Sequence, residues 1–275
     1  MEHHLPFILK EAPLHQHPPA QGGLESGSPY EPVTTGIPDL DSFVDRGLIT
    51  HIHTQLTSGK EGTVYCCRAH PSINRKFLAA KVYREHAESS YKWDPTYFQG
   101  RERVLKPKII RAIQARTEFG RAVAANLWVS AEYENLQKMA SCGVHAPKPI
   151  ARGENSILME YVGNGAGPAP HLDSLDPRDN TTQIYFDQIL EDIARLLARH
   201  LVHGDLSPYN ILIWKERTWI IDVPQAVDVR FNQSAFELLH RDIKRICDFF
   251  AKHAVKRDPM KITTDLWERY QRARL

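Results

Sequence analysis

The chain has 275 residues, 42% hydrophobic and 25% charged, which is globular composition with length for one large domain or two lobes around a cleft. Its formal charge of +2 is too mild to argue for nucleic acid by itself. No apolar run approaches the roughly 18 residues that a membrane span needs, so no membrane partner is expected.

The N-terminus lacks a basic stretch followed by an apolar one, as a secretory signal would have. Cys66, Cys67, Cys142 and Cys247 have no metal-ligand spacing, and in a strand Cys66 and Cys67 would point to opposite faces. Reduced thiols in a cytoplasmic protein are the simplest reading. Residues 1–37 are rich in His, Pro and Gly without a core-forming period, which predicts a disordered tail. His3, His4, His15 and His17 could bind a metal there only adventitiously.

Order is expected from "IPDLDSFVDRGLI", with Asp39 capping a short helix, Leu40, Phe43 and Val44 on one face, and Gly47 ending it. "ITHIHTQLTSGKEGTVYCCRA" reads as two strands around a Ser-Gly-Lys-Glu-Gly turn, and "FLAAKVYR" as a third. From about 86 to 121 the periodic signal weakens. Residues 101–121 hold seven basic side chains against Glu102 and Glu118. This stretch is expected to be a solvated, partly mobile insertion, or else a docking surface for an acidic partner or RNA. "AANLWVSAEYENLQKMASCGV" has helical spacing at Leu127, Ala131, Leu136 and Met139, stopped by Gly143. "APKPIARG" and "SILMEYVG" follow as strands and "IYFDQILEDIARLLARH" as a helix. "IIDV" reads as a strand, and "SAFELLHRDIKRICDFFAKH" as a second strong helix. No internal repeat is visible. The order implies an α+β fold, a sheet lobe and a mainly helical lobe sharing a cleft.

Phosphoryl transfer requires a turn that cradles phosphates, a lysine on them, a base for the acceptor, and metal ligands. "TSGKEGTVY" is a candidate phosphate turn, because Ser58, Gly59 and Gly62 let backbone amides come close to phosphate oxygens. It is neither a P-loop nor a G-x-G-x-x-G loop, and alone it is equally an ordinary hairpin turn. "AAKVY" places Lys81 in an apolar strand, where an unpaired ammonium is costly. Glu132 and Glu134 are available partners. Glu132 is the better placed, since Glu134 lies about 200° further round the same helix. "HGDLSPYN" spaces Asp205 and Asn210 as D-x-x-x-x-N, a carboxylate to take the acceptor's proton and an amide oxygen for Mg²⁺. "IIDV" then sets Asp222 at the end of an apolar strand, where it can share Mg²⁺ with Asn210.

Together "SGKEGTVY", "AAKVY", "MEYVGNGAGPAP", "LVHGDLSPYNIL" and "IIDVPQAVD" resemble the RIO family of atypical serine/threonine protein kinases, closest to the subfamily without an N-terminal winged helix. The resemblance runs from about Asp39 to about His253. It implies a bilobal protein-kinase-like fold with a reduced activation segment, an N-lobe over residues 38–163 and a C-lobe over 164–275. It also implies ATP and Mg²⁺ as cofactors, with Mn²⁺ able to stand in. Ser58, Gly59 and Lys60 would form the phosphate loop, and Lys81, paired with Glu132, would contact the phosphates. Met159 would back the adenine pocket, with the backbone of Glu160 and Val162 reading the adenine edge. Asp205 would be the base, and Asn210 and Asp222 would hold the metal. In the family the counterpart of Asp222 can also accept the phosphoryl group in an ATPase cycle.

One departure from the family stands out, and two further features separate the chain from ordinary protein kinases. Gly62-Thr63 stands where relatives often have Ala-Asn. Ser207 stands where ordinary protein kinases carry Lys, as it does in the family. No Asp-Phe-Gly or Ala-Pro-Glu occurs, and the segment after Asp222 is too short for the usual peptide-docking platform. The acceptor would be a protein substrate or the chain itself. Two alternatives stand beside this: a small-molecule kinase of the aminoglycoside or choline type, and an ATP-gated assembly factor for a ribosomal particle or RNA, using the basic 101–121 stretch. A long charged C-terminal tail of the eukaryotic kind is not seen, which leans towards a prokaryotic source.

Overall fold

A computed structural model describes residues 34–59, 62–84, 105–176 and 181–275. Most of the expected tail, Lys60 of the phosphate turn, and residues 101–104 of the basic stretch lie outside that range. Order begins before position 38, because the Thr35 backbone N–H and hydroxyl both donate to Asp41 Oδ1 at 2.7 Å. Helix α1 (Pro38–Asp45) buries Leu40 and Phe43. Its N-cap is Ile37 and not Asp39. Pro38 takes the first helical turn, where a missing N–H costs nothing, and this moves Asp39 inside the helix.

Strands β1 (Ile49–Ser58), β2 (Gly62–Ala69), β3 (Phe77–Tyr83), β4 (Pro149–Arg152) and β5 (Ser156–Glu160) form one antiparallel sheet in the order β1-β2-β3-β5-β4. Side chains alternate across β3 and β5. Leu78, Ala80 and Leu158 pack with Leu40 and Phe43 of α1, whereas Ala79, Tyr83, Ile157 and Met159 join the core on the opposite face. By the same alternation Lys81 shares a face with Ala79 and Tyr83.

The basic stretch is not an irregular insertion where it is described. Helix α2 (Pro107–Gln114) precedes α3 (Glu118–Ser141), whose N-cap Thr117 accepts from the Gly120 N–H. Thr117 followed by Glu118 starts α3 well before the apolar period that located it. Gly120 is required there: a Cβ on it would lie 2.0 Å from the Ala112 carbonyl oxygen of α2.

Beyond the short pair β6 (Gly163–Asn164) and β7 (Gly167–Pro168), the second lobe contains α4 (Thr182–Ala198), β8 (Leu201–Val202), the hairpin of β9 (Ile211–Trp214) and β10 (Arg217–Ile220), β11 (Val227–Asp228), α5 (Ala235–Ala251) and α6 (Pro259–Gln271). Helices α4 and α5 carry apolar residues at helical spacing, and Phe186 meets Phe250 edge-on with ring centroids 5.3 Å apart. The fold is the expected α+β kinase-like arrangement, an antiparallel sheet lobe and a helical lobe. No helix among the described residues is long and apolar enough to cross a membrane.

Phe250 is fully buried at the α4–α5 junction. Phe250→Ala is expected to destabilise the chain by about 3–5 kcal/mol, read as a lower urea midpoint at unchanged slope.

Candidate active site

Lys81 is the point where three elements meet. Its Nζ lies 2.8 Å from Glu132 Oε2 and 3.1 Å from Oε1 on α3, and 2.5 Å from Asp222 Oδ1 beyond β10. Glu134 is exposed elsewhere on α3. The Tyr83 hydroxyl donates to Glu132 Oε2, and the Lys81 ammonium sits 5.0 Å from the centre of the Tyr83 ring. Burial opposes the charge on Lys81, but the Asp222 and Glu132 carboxylates more than offset it and hold the ammonium well above its usual pKa. Burial keeps Glu132 above the ordinary carboxyl value in spite of Lys81. Burial pushes Asp222 the same way, yet Lys81 outweighs it and Asp222 is held below the ordinary value, ionised at neutral pH.

Asp222 does not end a strand. β10 stops at Ile220, and Asp222 has φ +63°, a left-handed conformation costing about 1 kcal/mol for a residue with a side chain. Its neighbour is fixed by the buried Asn135 of α3, whose Nδ2 donates to the Val223 carbonyl at 2.9 Å. The turn at Asp222 directs the carboxylate to Lys81, which a continued strand would alternate away. Its Oδ2 has no partner among the described residues.

A cavity of about 400 Å³ lies between the lobes. Leu56, Val64, Ala79, Met159, Leu212 and Ile221 give it apolar walls, and Lys81, Glu132, Asn210 and Asp222 stand at its polar end. Gly59, Glu160 and Val162 also line it. Val162 is buried, its carbonyl is taken by the Ala169 N–H, and its own N–H has no partner among the described residues. The Glu160 N–H is taken by the Lys148 carbonyl, and its side chain pairs with Arg75 at 2.6 Å. The phosphate turn is closed by a 2.9 Å bond from Gly59 N–H to the Gly62 carbonyl. Arg84 donates to the Gly59 carbonyl and to Ser58 Oγ, which also meets Thr63 Oγ1. Gly62 is there for packing, not for looseness: a Cβ would come 2.3 Å from the Val82 carbonyl oxygen.

The loop after β8 is held from behind. The N–H groups of Gly204 and Leu206 both donate to Asp242 of α5, at 2.8 and 3.0 Å, and Arg241 donates to the Gly204 carbonyl. Burial keeps His203 neutral, its pKa lowered. Asn210 Nδ2 donates to the Asp205 carbonyl at 2.9 Å, which leaves the Asn210 side-chain oxygen as an acceptor without a partner among the described residues. Asp205 is partly exposed and does not line the cavity; its Oδ1 accepts from Arg245 at 2.7 Å.

The residues singled out in the sequence thus fall into one region. Lys81, Glu132 and Asp222 are in contact, Asn210, Met159, Glu160, Val162 and Gly59 share the cavity, Ser58 flanks Gly59, and Asp205 is joined through Asn210. Lys60 lies outside the described residues. Sequence reasoning passed over Tyr83, Asn135, Asp242 and Arg245. Tyr83 lies within the quoted "AAKVY", Asp242 and Arg245 are polar positions on the amphipathic α5, and Asn135 is a polar position on α3, where solvent exposure is the ordinary reading.

In protein kinases a strand lysine paired with a helix glutamate is one of the parts that position the nucleotide phosphates, and Lys81 with Glu132 makes that pair. The class is a protein kinase with a shortened segment after Asp222, residues 223–234 separating it from α5. The family model described as "RIO domain" matches residues 63–263. The RIO-type serine/threonine-protein kinase Rio1 of Thermoplasma acidophilum is 34% identical over 68% of this chain and 92% of its own length. Rio1 of Methanocaldococcus jannaschii is 35% identical, covering 73% of this chain and 63% of the relative. Serine/threonine-protein kinase RIO1 of Saccharomyces cerevisiae is 29% identical over 81% of this chain, which spans about half (49%) of that relative. Among solved structures, the Rio2 kinase of Chaetomium thermophilum superposes with a TM-score of 0.60 at 19% identity, covering 84% of this chain and 66% of that one. The chain belongs to the RIO family of atypical serine/threonine protein kinases.

Burial pushes the Asp242 carboxyl up to about 7, against the pull of the Gly204 and Leu206 N–H groups and of Arg241 and Arg245. A folded value raised above the unfolded one, near 4, contributes stability that is full below the unfolded value and lost as pH rises through the folded one. The stability difference between wild type and Asp242→Asn should therefore fall by about 2–3 kcal/mol between pH 5 and pH 7 and flatten above about pH 8. Urea unfolding of both proteins across that range checks it, and a difference independent of pH would refute it.

Proposed function

We propose that this chain transfers the γ-phosphoryl group of ATP to a hydroxyl on a protein, its own or a substrate's, with Asp205 as base. The observation that carries the reading is the Lys81 ammonium shared by Glu132 and Asp222 at the polar end of an apolar cavity of nucleotide size. Adenine would pack between the walls given by Val64, Ala79 and Leu212, with Met159 behind it and the unpaired Val162 N–H on its edge. Gly59, Lys60 and Lys81 would hold the phosphates, with Ser58 supporting the turn. The donor set suits Mg²⁺, which favours oxygen ligands and keeps positions for phosphate and water; Asp222 Oδ2 and the Asn210 side-chain oxygen are of that kind and have no partner among the described residues. When bound, the metal neutralises phosphate charge and orients the phosphates. Mn²⁺ takes similar oxygen donors and is the substitute we propose. In the transfer, the acceptor oxygen bonds to the γ-phosphorus as its bond to the ADP oxygen breaks, and the acceptor's proton passes to Asp205.

The relatives described above are named as serine/threonine-protein kinases, which favours a protein hydroxyl over an aminoglycoside or choline. A second output uses the same site. One solved Rio2 structure of Chaetomium thermophilum, at TM-score 0.56 and 18% identity, is a complex with ADP, Mg²⁺ and phosphoaspartate. Asp222, with one carboxylate oxygen free, would be the acceptor here, followed by hydrolysis. For partners, exposed Lys106, Lys108, Arg111, Arg116 and Arg121 around the α2–α3 turn support an acidic or RNA partner, such as a ribosomal particle. The described cysteines are all free thiols, which supports a cytoplasmic setting.

The test incubates the full chain, Asp205→Asn and Asp222→Asn with γ-labelled ATP and Mg²⁺, and treats labelled protein with hydroxylamine. The expected result is hydroxylamine-resistant label that falls by at least about 100-fold in Asp205→Asn. Hydroxylamine-labile label, lost in Asp222→Asn and accompanied by phosphate release, would instead make the ATPase cycle the output. Neither label nor phosphate release from wild type would overturn both.

A further inference from the structure

Three residues on one face of α5 reach the loop that carries Asp205. Arg241 and Asp242 hold its backbone at Gly204 and Leu206. Arg245, one turn further along, touches the reactive group itself: its Nη1 donates to Asp205 Oδ1 at 2.7 Å. Both side chains are about two-fifths exposed, at 40% and 42%. An ion pair that open to water adds little to stability, so folding does not require it. Its effect is on geometry. The Asp205 N–H donates to His203 Nδ1 at 3.3 Å and its carbonyl accepts from Asn210, so the backbone is fixed at two points and Arg245 fixes the carboxylate at a third. With Oδ1 engaged, Oδ2 is the oxygen left for an incoming proton.

The position of the charge matters too. Ordinary protein kinases carry a Lys two residues after the base, and this chain has Ser207 there. A cation beside the base must come from elsewhere in the fold, and among the described residues Arg245 is the one in contact with the Asp205 carboxylate.

We propose that Arg245 is a positioning residue for phosphoryl transfer: from α5 it supplies the positive charge that the loop lacks at Ser207, and by holding Oδ1 it presents Oδ2 of Asp205 to the acceptor hydroxyl. This rests on the assignment of Asp205 as base. The proton of the acceptor hydroxyl goes to Oδ2, the new O–P bond forms as ADP leaves with the electron pair of the broken bond, and Arg245 stays protonated throughout. A guanidinium suits this role because its N–H groups donate in fixed directions within one plane, so a single bond to Oδ1 also directs the carboxylate, which a freely rotating ammonium does less well.

The test measures the single-turnover rate of hydroxylamine-resistant labelling from γ-labelled ATP and Mg²⁺. It compares the full-length wild type, Arg245→Met, Arg245→Lys, Asp205→Asn and the Asp205→Asn/Arg245→Met double variant. Binding of MgADP and the melting temperature are measured on each. Arg245→Met is expected to slow labelling about 10- to 100-fold, as a small misplacement of a reacting group does, with MgADP affinity within about twofold of wild type. Arg245→Lys should recover part of the loss. In the Asp205→Asn background, Arg245→Met should cost nothing further, because the group it positions is gone.

Labelling by Arg245→Met within twofold of wild type overturns the proposal. So does an equal slowing in both backgrounds, or a loss accounted for by weaker MgADP binding or a lower melting temperature. The two layers separate cleanly. Asp205→Asn labelling at the wild-type rate removes the base assignment and this inference with it, whereas an inactive Asp205→Asn beside an unaffected Arg245→Met removes the inference alone.

Discussion

A single buried ammonium organises this molecule. Lys81 on β3 is held by Glu132 of α3 and by Asp222 after β10, so one charge fastens sheet, helix and loop segment at one point. The bookkeeping is uneven: one positive charge faces two carboxylates, leaving one negative charge in a site largely out of water. Burying uncompensated charge is expensive, and here it is met in three ways. Burial raises Glu132 towards neutrality, Tyr83 donates to the same carboxylate, and Asp222 keeps one oxygen open to the cavity. The residual negative charge is also the feature that a divalent cation would relieve.

The same point couples the lobes. Helix α3 reaches the segment after β10 twice, through Glu132 by way of Lys81 and through Asn135 Nδ2 on the Val223 carbonyl. One contact falls on the Asp222 side chain and the other on the carbonyl of the next residue, so the left-handed turn at Asp222 is held at both. On the far side, α5 holds the loop of Asp205 by its own amides and carbonyl. The two carboxylates are thus set by different helices, Asp222 by α3 and Asp205 by α5. The Asn210 amide links to the Asp205 carbonyl, while the Asn210 N–H donates to the Ser207 carbonyl and its own carbonyl accepts from Ile221, next to Asp222. Asn210 is in this sense the stitch between the two supports.

Much of this was legible in the sequence because the chemistry is local. Asp205 and Asn210 lie in one loop, Lys81 breaks an apolar strand, and α+β order follows from the sequence of periods. Glu132 was separable from Glu134 because helical geometry puts them about 200° apart. Less legible was whatever depends on distant backbone. The left-handed turn at Asp222 was hidden inside an apolar run that reads as strand, and Pro38 displaced the expected cap by altering where the helix starts. The start of α3 was missed since capping at Thr117, not hydrophobic spacing, decides it. Tyr83, Asn135, Asp242 and Arg245 act through partners about 40 to 90 residues away in sequence, and nothing in their own surroundings marks them. Gly62 is the instructive reversal: a second glycine in the phosphate turn suggests slack, yet the Val82 carbonyl leaves no room for a side chain.

The short segment after Asp222 changes what can be regulated. In kinases with a long activation segment, ordering of that loop switches the site. Here residues 223–234 are pinned along their course. Val223 is bonded to Asn135, and Val227 and Asp228 pair with Val202 and Leu201 of β8, the strand that leads into the Asp205 loop. Arg230 closes on Asp228 through its backbone N–H and its guanidinium. A segment fastened to both α3 and β8 has little slack to swing aside without unpairing the strand that leads into the Asp205 loop. The bridge between Lys81 and Asp222 is not tied down by that strand pairing, and in the proposed function phosphates and metal would meet these same two side chains. A nucleotide bound as proposed would therefore act on the interlobe contact directly, without a swinging activation segment.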